Sequence, residues 1–187
     1  MVLKGALHVH TACSDGSLSV PEVVDVYAQL GFDFIALTDH DHLLRDGCYD
    51  RGLADLQTSL LVFQGVELTV FERGYLHVNR IRGDHEVLHV LNHPADLDLP
   101  LPTILLRIEA IRPRFPVDAV EVTSRGFRTP ELDVPAMPYP KVATDDSHDR
   151  LGCGRAWIEL DAKRDKDEIL RAIKRGDFWN CYTAAGG

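Results

Sequence analysis

The segment Leu7-His8-Val9-His10-Thr11-Ala12-Cys13-Ser14-Asp15-Gly16-Ser17, together with the later run Thr38-Asp39-His40-Asp41-His42, decides the reading of this chain. His8 and His10 are two residues apart, so on a β-strand both imidazoles point to one face and can share a metal ion. Asp15 follows at once, and the second run adds Asp39, His40, Asp41 and His42. So many metal-type ligands in so few residues make metal-assisted hydrolysis the first expectation.

Bulk properties narrow the class. A chain of 187 residues supports one substantial core, which predicts a single domain over 1–187. Its 45% hydrophobic and 26% charged residues are ordinary for a soluble globular domain. No apolar run approaches the ~20 residues that span a bilayer. Lys4 is the lone positive charge at the N-terminus, where a strand begins at once, which is not a signal peptide, so the expectation is a cytoplasmic protein with no membrane partner. The net charge of −9 argues against nucleic-acid binding, although bound cations would offset it locally. Cys13, Cys48, Cys153 and Cys181 are far apart and form no C-x-x-C pair. They read as reduced and structural, with Cys13 placed to line the site.

Strand and helix signals alternate along the chain. Leu3 to His10 reads as a strand. Pro21 to Leu30 reads as a helix, with Ser19 as N-cap, Pro21 in the first turn and Gly31 as the stop. Phe32 to Thr38 is a buried strand delivering Asp39 and His40, and residues 45–60 read as helical despite Gly47 and Gly52. Strands follow over 61–68, 75–80 and 86–91, then a helix over 100–112, a strand over 117–123 carrying Glu121, and a Pro-rich loop over 129–140. A short strand over 141–144, a strand over 156–160, a helix over 166–175 stopped by Gly176, and a strand-like 179–183 complete the pattern. Histidines and carboxylates recur where strands end. That is the arrangement of a (β/α) barrel with its active site at the C-terminal rim, here shorter than eight-fold.

The segments LHVHTACSDGS (7–17), ALTDHD (36–41), GVELTV (65–70), HVN (77–79), NHPA (92–95), DAVEV (118–122) and TDDSHD (144–149) resemble, in content and order, the PHP family of metal-dependent phosphoesterases. The GVELTV…HVN…NHP pattern is most similar to its small carbaryl-hydrolase-type branch. The resemblance implies an α/β fold, a distorted (β/α)7 TIM-like barrel, with two to three divalent ions. By position, His8, His10, Glu67 and Asp146 would hold the first ion. Glu67 would bridge to a second completed by His77 and His93, and Asp15, His40 and His148 would hold the third. Asp15, His40, Glu67 and His148 are the residues expected to carry catalysis. The mix of imidazole and carboxylate suits Zn, Mn or Fe rather than calcium. The chain departs from the family pattern at Thr144-Asp145. Alternation points Asp145 away from the ions, and a one-residue slip would make it the ligand in place of Asp146.

No Ser or Cys triad stands out, so the expected chemistry is direct attack of a metal-bridging hydroxide on a small phosphomonoester or phosphodiester. Arg125 and Arg128 are the first choices to bind the phosphoryl group, with Arg73 and Arg155 behind them. Asp39 and Asp41 read either as carboxylates orienting ligand imidazoles or as caps of the following turn. His42 reads as a surface residue, Glu121 as a supporting group, and His89, which shares the parity of His93, as structural. A carbamate or carboxyl ester hydrolase and a non-catalytic PHP module are the competing functions.

Overall fold

The computed structural model describes residues 1–183. Its elements are β1 (Val2–Val9), α1 (Val20–Gln29), β2 (Phe34–Leu37), α2 (Cys48–Leu53), β3 (Leu61–Phe71), β4 (Tyr75–Arg82), β5 (Val87–Leu91), α3 (Leu101–Ile111) and β6 (Ala119–Glu121). A small hairpin of β7 (Thr123–Ser124) and β8 (Phe127–Arg128) comes next, then β9 (Lys141–Val142), β10 (Ala156–Asp161), α4 (Lys166–Arg175) and β11 (Trp179–Tyr182). Ser19 caps α1 through the reciprocal bonds of a capping box with Glu22. Asp165 caps α4, accepting from the Glu168 amide, and Gly176 ends it in the left-handed conformation.

The nine-stranded sheet runs β11-β10-β1-β2-β3-β4-β5-β6-β9. It curls until the chain after β9 meets β1 again, where Val9 bridges Ser147 and the His10 amide donates to the Ser147 carbonyl at 2.9 Å. Strands β1 to β6 and β9 thus form the distorted (β/α) barrel expected from sequence. Two features distort it. The β3-β4-β5 stretch is an antiparallel meander without helices, and β10 pairs antiparallel with the first half of β1.

The interior is apolar at one end and polar at the other. Leu3, Leu7, Phe34, Phe63, Ile81, Leu88 and Ile158 fill the barrel, and Ile169, Leu170 and Ile173 of α4 close that end. Gly5 belongs to this packing, since a Cβ there would lie 1.9 Å from the Phe34 ring. A second cluster joins α1 to the outer faces of β1 and β2, and a third joins α3 to β4 and β6.

Strict alternation along β1 fails at the point that matters. Leu3 and Leu7 face the interior, whereas Ala6 and Val9 pack outward against α1. The pairing of β1 with β2 slips between Ala6 and Val9. This irregularity turns Leu7 into the core and both His8 and His10 into the polar end, which is how bulges re-aim side chains beside active sites.

Two expectations are corrected. Residues 45–60 do not form a long helix, and only Cys48–Leu53 is helical. Gly47 takes a positive φ of 63° ahead of it, and a Cβ on Gly52 would lie 2.6 Å from Val20. Nor are all the cysteines reduced, because Cys13 and Cys48 form a disulfide. It ties the loop after β1 to α2. Wide sequence spacing carries no signal of that proximity. Among the described residues, no helix is long and apolar enough to cross a membrane.

Candidate metal centre

Glu67 is the hub. It projects inward from β3, 1% exposed, with imidazoles on every side. Its Oε1 lies 3.1 Å from His77 Nδ1, 3.3 Å from His93 Nε2 and 3.4 Å from His8 Nε2. Its Oε2 lies 2.8 Å from His40 Nδ1 and 3.4 Å from His10 Nε2. Asp146 Oδ1 lies 3.4 Å from the Nε2 atoms of both His8 and His10. Asp15 Oδ2 lies 3.5 Å from His40 Nε2 and from His148 Nε2, and His148 stacks on His10 with ring centroids 4.0 Å apart. All nine side chains proposed as ligands therefore converge.

They group in three sets that keep the expected membership in part, Glu67 being absent from the His8 and Asp146 set and His93 from the Glu67 set, while two residues join further sets. Ligand atoms of His10, Asp15, His40 and His148 lie within 4.8 Å of one another, as do those of His8, His10 and Asp146, and those of His40, Glu67 and His77. His10 thus joins the Asp15 set and His40 joins the Glu67 set, while His93 stands at the edge of the latter.

The residues fit metal ions on a specific observation. His10 Nδ1, His40 Nδ1, His77 Nδ1 and Glu67 Oε2 are buried and have no hydrogen-bond partner, although His40 and Glu67 bring two of these atoms within 2.8 Å. His8 and His10 also turn their Nε2 atoms to within 3.0 Å of each other. Unsatisfied buried polar atoms cost about 1–3 kcal/mol each, and shared cations satisfy such convergent lone pairs.

A second layer holds these side chains in place. Glu121 Oε1 accepts from His8 Nδ1 at 2.7 Å and from the Thr144 hydroxyl at 2.7 Å, and its Oε2 accepts from the His93 amide at 2.7 Å. This fixes the His8 tautomer and leaves its Nε2 free for an ion. Asn92 Nδ2 donates to Glu67 Oε1 at 2.8 Å. Asp39 orients no imidazole. It accepts from the Thr11 amide and hydroxyl, the Ser14 amide and the Tyr49 hydroxyl, and so pins the loop that presents Asp15. In that loop a Cβ on Gly16 would come within 2.8 Å of the His10 and Thr11 backbone. Asp41 acts as a cap, accepting from the His42 amide at 2.9 Å and the Thr69 amide at 3.3 Å.

Backbone strain marks two of the side chains proposed as ligands. His93 has a φ of 26° and Asp146 a φ of 43°, conformations that non-glycine residues rarely adopt. On β5, Leu88 and Val90 face inward and His89 faces out, 3.7 Å from Asp118. Simple parity would send His93 the same way. Its backbone turn brings it in. Asp145, the alternative ligand, is fully buried elsewhere, accepting from the Tyr27 hydroxyl and the Gly154 amide, both at 2.6 Å.

Charge balance follows from these positions. Burial disfavours charge on His8, but Glu121, Asp146 and Glu67 outweigh it and hold the imidazole well above its ordinary value. His10, opposed by burial but bonded to Asp146 and Glu67, is raised to about 9. Burial pushes Glu67 and Asp146 upward, and the surrounding imidazoles override it and hold both carboxyls far below the usual range. Burial and the neighbouring His10 charge lower His148. Cations in the centre would take over the role these protons play.

The two arginines first chosen for substrate are separated. Arg128 is paired with Asp133 at 2.7 Å. Arg125, at the exposed β7-β8 turn, has no carboxylate partner among the described residues. Arg155 donates to the Arg125 carbonyl at 3.3 Å and lies over the Phe127 ring. Sequence reading under-weighted Asn92, Thr11 and Tyr49. Of these, Asn92 alone carried a signal, as the residue before His93.

The class defined by fold and site is a distorted (β/α) barrel with a cluster of His, Asp and Glu side chains suited to metal ions at its rim. The PHP domain family model matches residues 6–97, the first half of the barrel, and over that stretch the chain is similar to PHP domains. Among curated proteins, DNA polymerase/3'-5' exonuclease PolX of Bacillus subtilis (strain 168) is 37% identical over 43 residues, 23% of this chain and 8% of that protein. Among solved structures, a two-domain protein containing a predicted PHP-like metal-dependent phosphoesterase from Bacteroides vulgatus ATCC 8482 matches with a TM-score of 0.73 and 20% identity, over 97% of this chain and 65% of its own. An amidohydrolase from Chromobacterium violaceum with bound sulfate and no metal matches at 0.66 and 15% identity, over 98% and 99% of the two chains. PsfC from Pseudomonas syringae PB-5123 matches at 0.63 and 14%, over 99% and 93%. The chain therefore spans under a tenth of the PolX protein and about two thirds of the Bacteroides one.

Proposed function

We propose that this chain is a metal-dependent hydrolase of small phosphomonoesters or phosphodiesters. The observation that carries the reading is the buried Glu67 carboxylate meeting five imidazoles, two of which, His40 and His77, turn a buried and otherwise unpartnered Nδ1 toward it, in a chain whose residues 6–97 match the PHP domain model. His8, His10 and Asp146 would hold one ion, Glu67 with His77, His93 and His40 a second, and Asp15, His40 and His148, with His10, a third. Imidazole with carboxylate favours Zn, Mn or Fe in these places. Bound divalent ions supply Lewis acidity toward a phosphoryl oxygen and acidify water near neutral pH.

The chain's own residues do the rest. Glu121 keeps His8 in one tautomer, and Asn92 orients Glu67. The Asp39 network fixes the Asp15 loop, so the ligands need little reorganisation when substrate arrives. Arg125 would take a phosphate oxygen, since Arg128 is committed to Asp133. His148, at the open edge of the Asp15 set, is lowered in pKa by burial and the His10 charge, which keeps its imidazole neutral and ready to take an ion.

The commitment of Arg128 favours a second reading, because it leaves the rim with less positive charge than a phosphate site would use. That reading is hydrolysis of a neutral carbamate or carboxyl ester. Phenol release from phenyl phosphate and diphenyl phosphate, before and after chelation, tests the choice against phenyl acetate and a phenyl carbamate. Chelator-sensitive turnover of the phosphoesters supports the first reading, and turnover of the neutral esters alone replaces it with the second.

A further inference from the structure

The β3-β4 hairpin continues past the metal centre as a ladder of cross-strand pairs. Glu67 faces Asn79, Thr69 faces His77, and Phe71 faces Tyr75. Paired residues share a face and alternate pairs share the same face. The opposite face carries Leu68, Val70, Leu76 and Val78, which pack on α3. Phe71 and Tyr75 therefore lie on the metal side, one pleat repeat beyond His77, or roughly 7 Å along the strand.

Both are strongly exposed, 66% and 67%, and they meet edge to face at 5.3 Å. Exposure here is not looseness. Arg107 of α3, itself buried, donates from Nε to the Glu72 carbonyl at 3.2 Å and from Nη2 to the Tyr75 carbonyl at 3.0 Å. It has no carboxylate partner among the described residues. A buried guanidinium is thus spent on holding the backbone beneath two solvent-facing rings. Tyr75 also walls a cavity of about 150 Å³ together with Leu97, His77, Asn92 and His93. The cavity is shared between Tyr75 and two of the proposed ligands, His77 and His93.

We propose that Phe71 and Tyr75 form a specificity subsite that receives the planar, apolar leaving group of the substrate, so that aryl esters are preferred over alkyl esters. This rests on the hydrolase reading for its substrate class. The hairpin register ties the subsite to the metal centre, and the Arg107 anchor pre-organises it.

The test is equilibrium binding of 2-naphthylphosphonate and methylphosphonate to Mn²⁺-loaded protein, for wild type, the Phe71→Leu/Tyr75→Leu double variant and Tyr75→Phe. Wild type should favour the naphthyl ligand, and the double variant should reduce that preference about tenfold, as loss of aromatic stacking predicts. Tyr75→Phe, which keeps the ring, should retain it. An equal affinity for both ligands in wild type, or a preference unchanged in the double variant, overturns the subsite. So does a dimer that the double variant dissociates while the preference stays, since a second copy would then be what covers the pair. Phosphate release from phenyl and butyl phosphate is measured alongside. No release from either, with the binding preference intact, removes the hydrolase reading and leaves the subsite standing.

Discussion

Glu121 Oε1 accepts a 2.7 Å hydrogen bond from Nδ1 of His8, and this buried contact turns the His8 Nε2 toward His10 and Asp146. The relationship explains why DAVEV carries a carboxylate that touches none of the proposed ions. Glu121→Ala should weaken metal affinity by about 10–100-fold, as is usual for groups that orient ligand histidines. It should also destabilise the fold by about 1–3 kcal/mol, because Thr144 and the His93 amide lose their acceptor. Zinc competition with a chromogenic chelator, together with urea unfolding, reads both effects.

Metal uptake should release protons. In the metal-free protein His10 is raised to about 9 and His8 well above its ordinary value, so both carry protons at neutral pH that an ion must displace. Affinity should therefore climb between pH 6.5 and about 9. The stability linkage has the matching sign. His10 has a folded value above its unfolded one, so it contributes stability that is complete below about 6.5 and is lost as pH rises through about 9. Calorimetric zinc titrations in buffers of different ionisation enthalpy count the protons. A proton count of zero at pH 7 would contradict this charge state.

Asp145 and Asp146 should behave as opposites despite adjacency. Asp146→Asn removes a ligand and should cost metal. Asp145→Asn should not, since Asp145 faces Tyr27 and the Gly154 amide. Burial raises the Asp145 carboxyl to about 7 against the bonds from Tyr27 and Gly154. Its neutral form thus contributes stability that is complete below about 4 and lost as pH rises through about 7. The asparagine variant should gain on wild type by a few kcal/mol above pH 7 and match it near pH 4. Melting temperatures across that range, with metal content of each variant, check the pair.

Reduction should loosen the Asp15 loop. The Cys13–Cys48 bond spans 35 residues and joins that loop to α2. Cys48→Ser should cost about 2–4 kcal/mol of stability. The accompanying loss of metal should fall first on the set containing Asp15 and His148. Comparing metal stoichiometry of wild type with and without reductant separates this from general unfolding.

Much of this was legible in the sequence because it depends on local rules. Ser19, Glu22 and Pro21 mark the start of α1, and Gly176 marks the end of α4, through capping chemistry within a few residues. The nine convergent side chains were legible because ligands at strand ends must meet at one rim of a barrel. What was not legible depends on distant contacts. The slip in β1 appears only when β2 pairs with it, and the turn at His93 only when Glu121 takes its amide. The Cys13–Cys48 bond joins segments whose nearness is a property of the closed barrel. The pairing of Arg128 with Asp133 likewise arises from how the loop after β8 folds back.

The measurement that tests the central claim most directly is elemental analysis of wild type and Glu67→Ala after loading with Mn²⁺, Zn²⁺ or Fe²⁺ and removal of excess metal. Two or three equivalents in wild type, with loss of at least one in a folded Glu67→Ala protein, is the predicted result. No retained metal in wild type under any of the three loadings, or an unchanged stoichiometry in Glu67→Ala, would contradict a centre organised around that carboxylate.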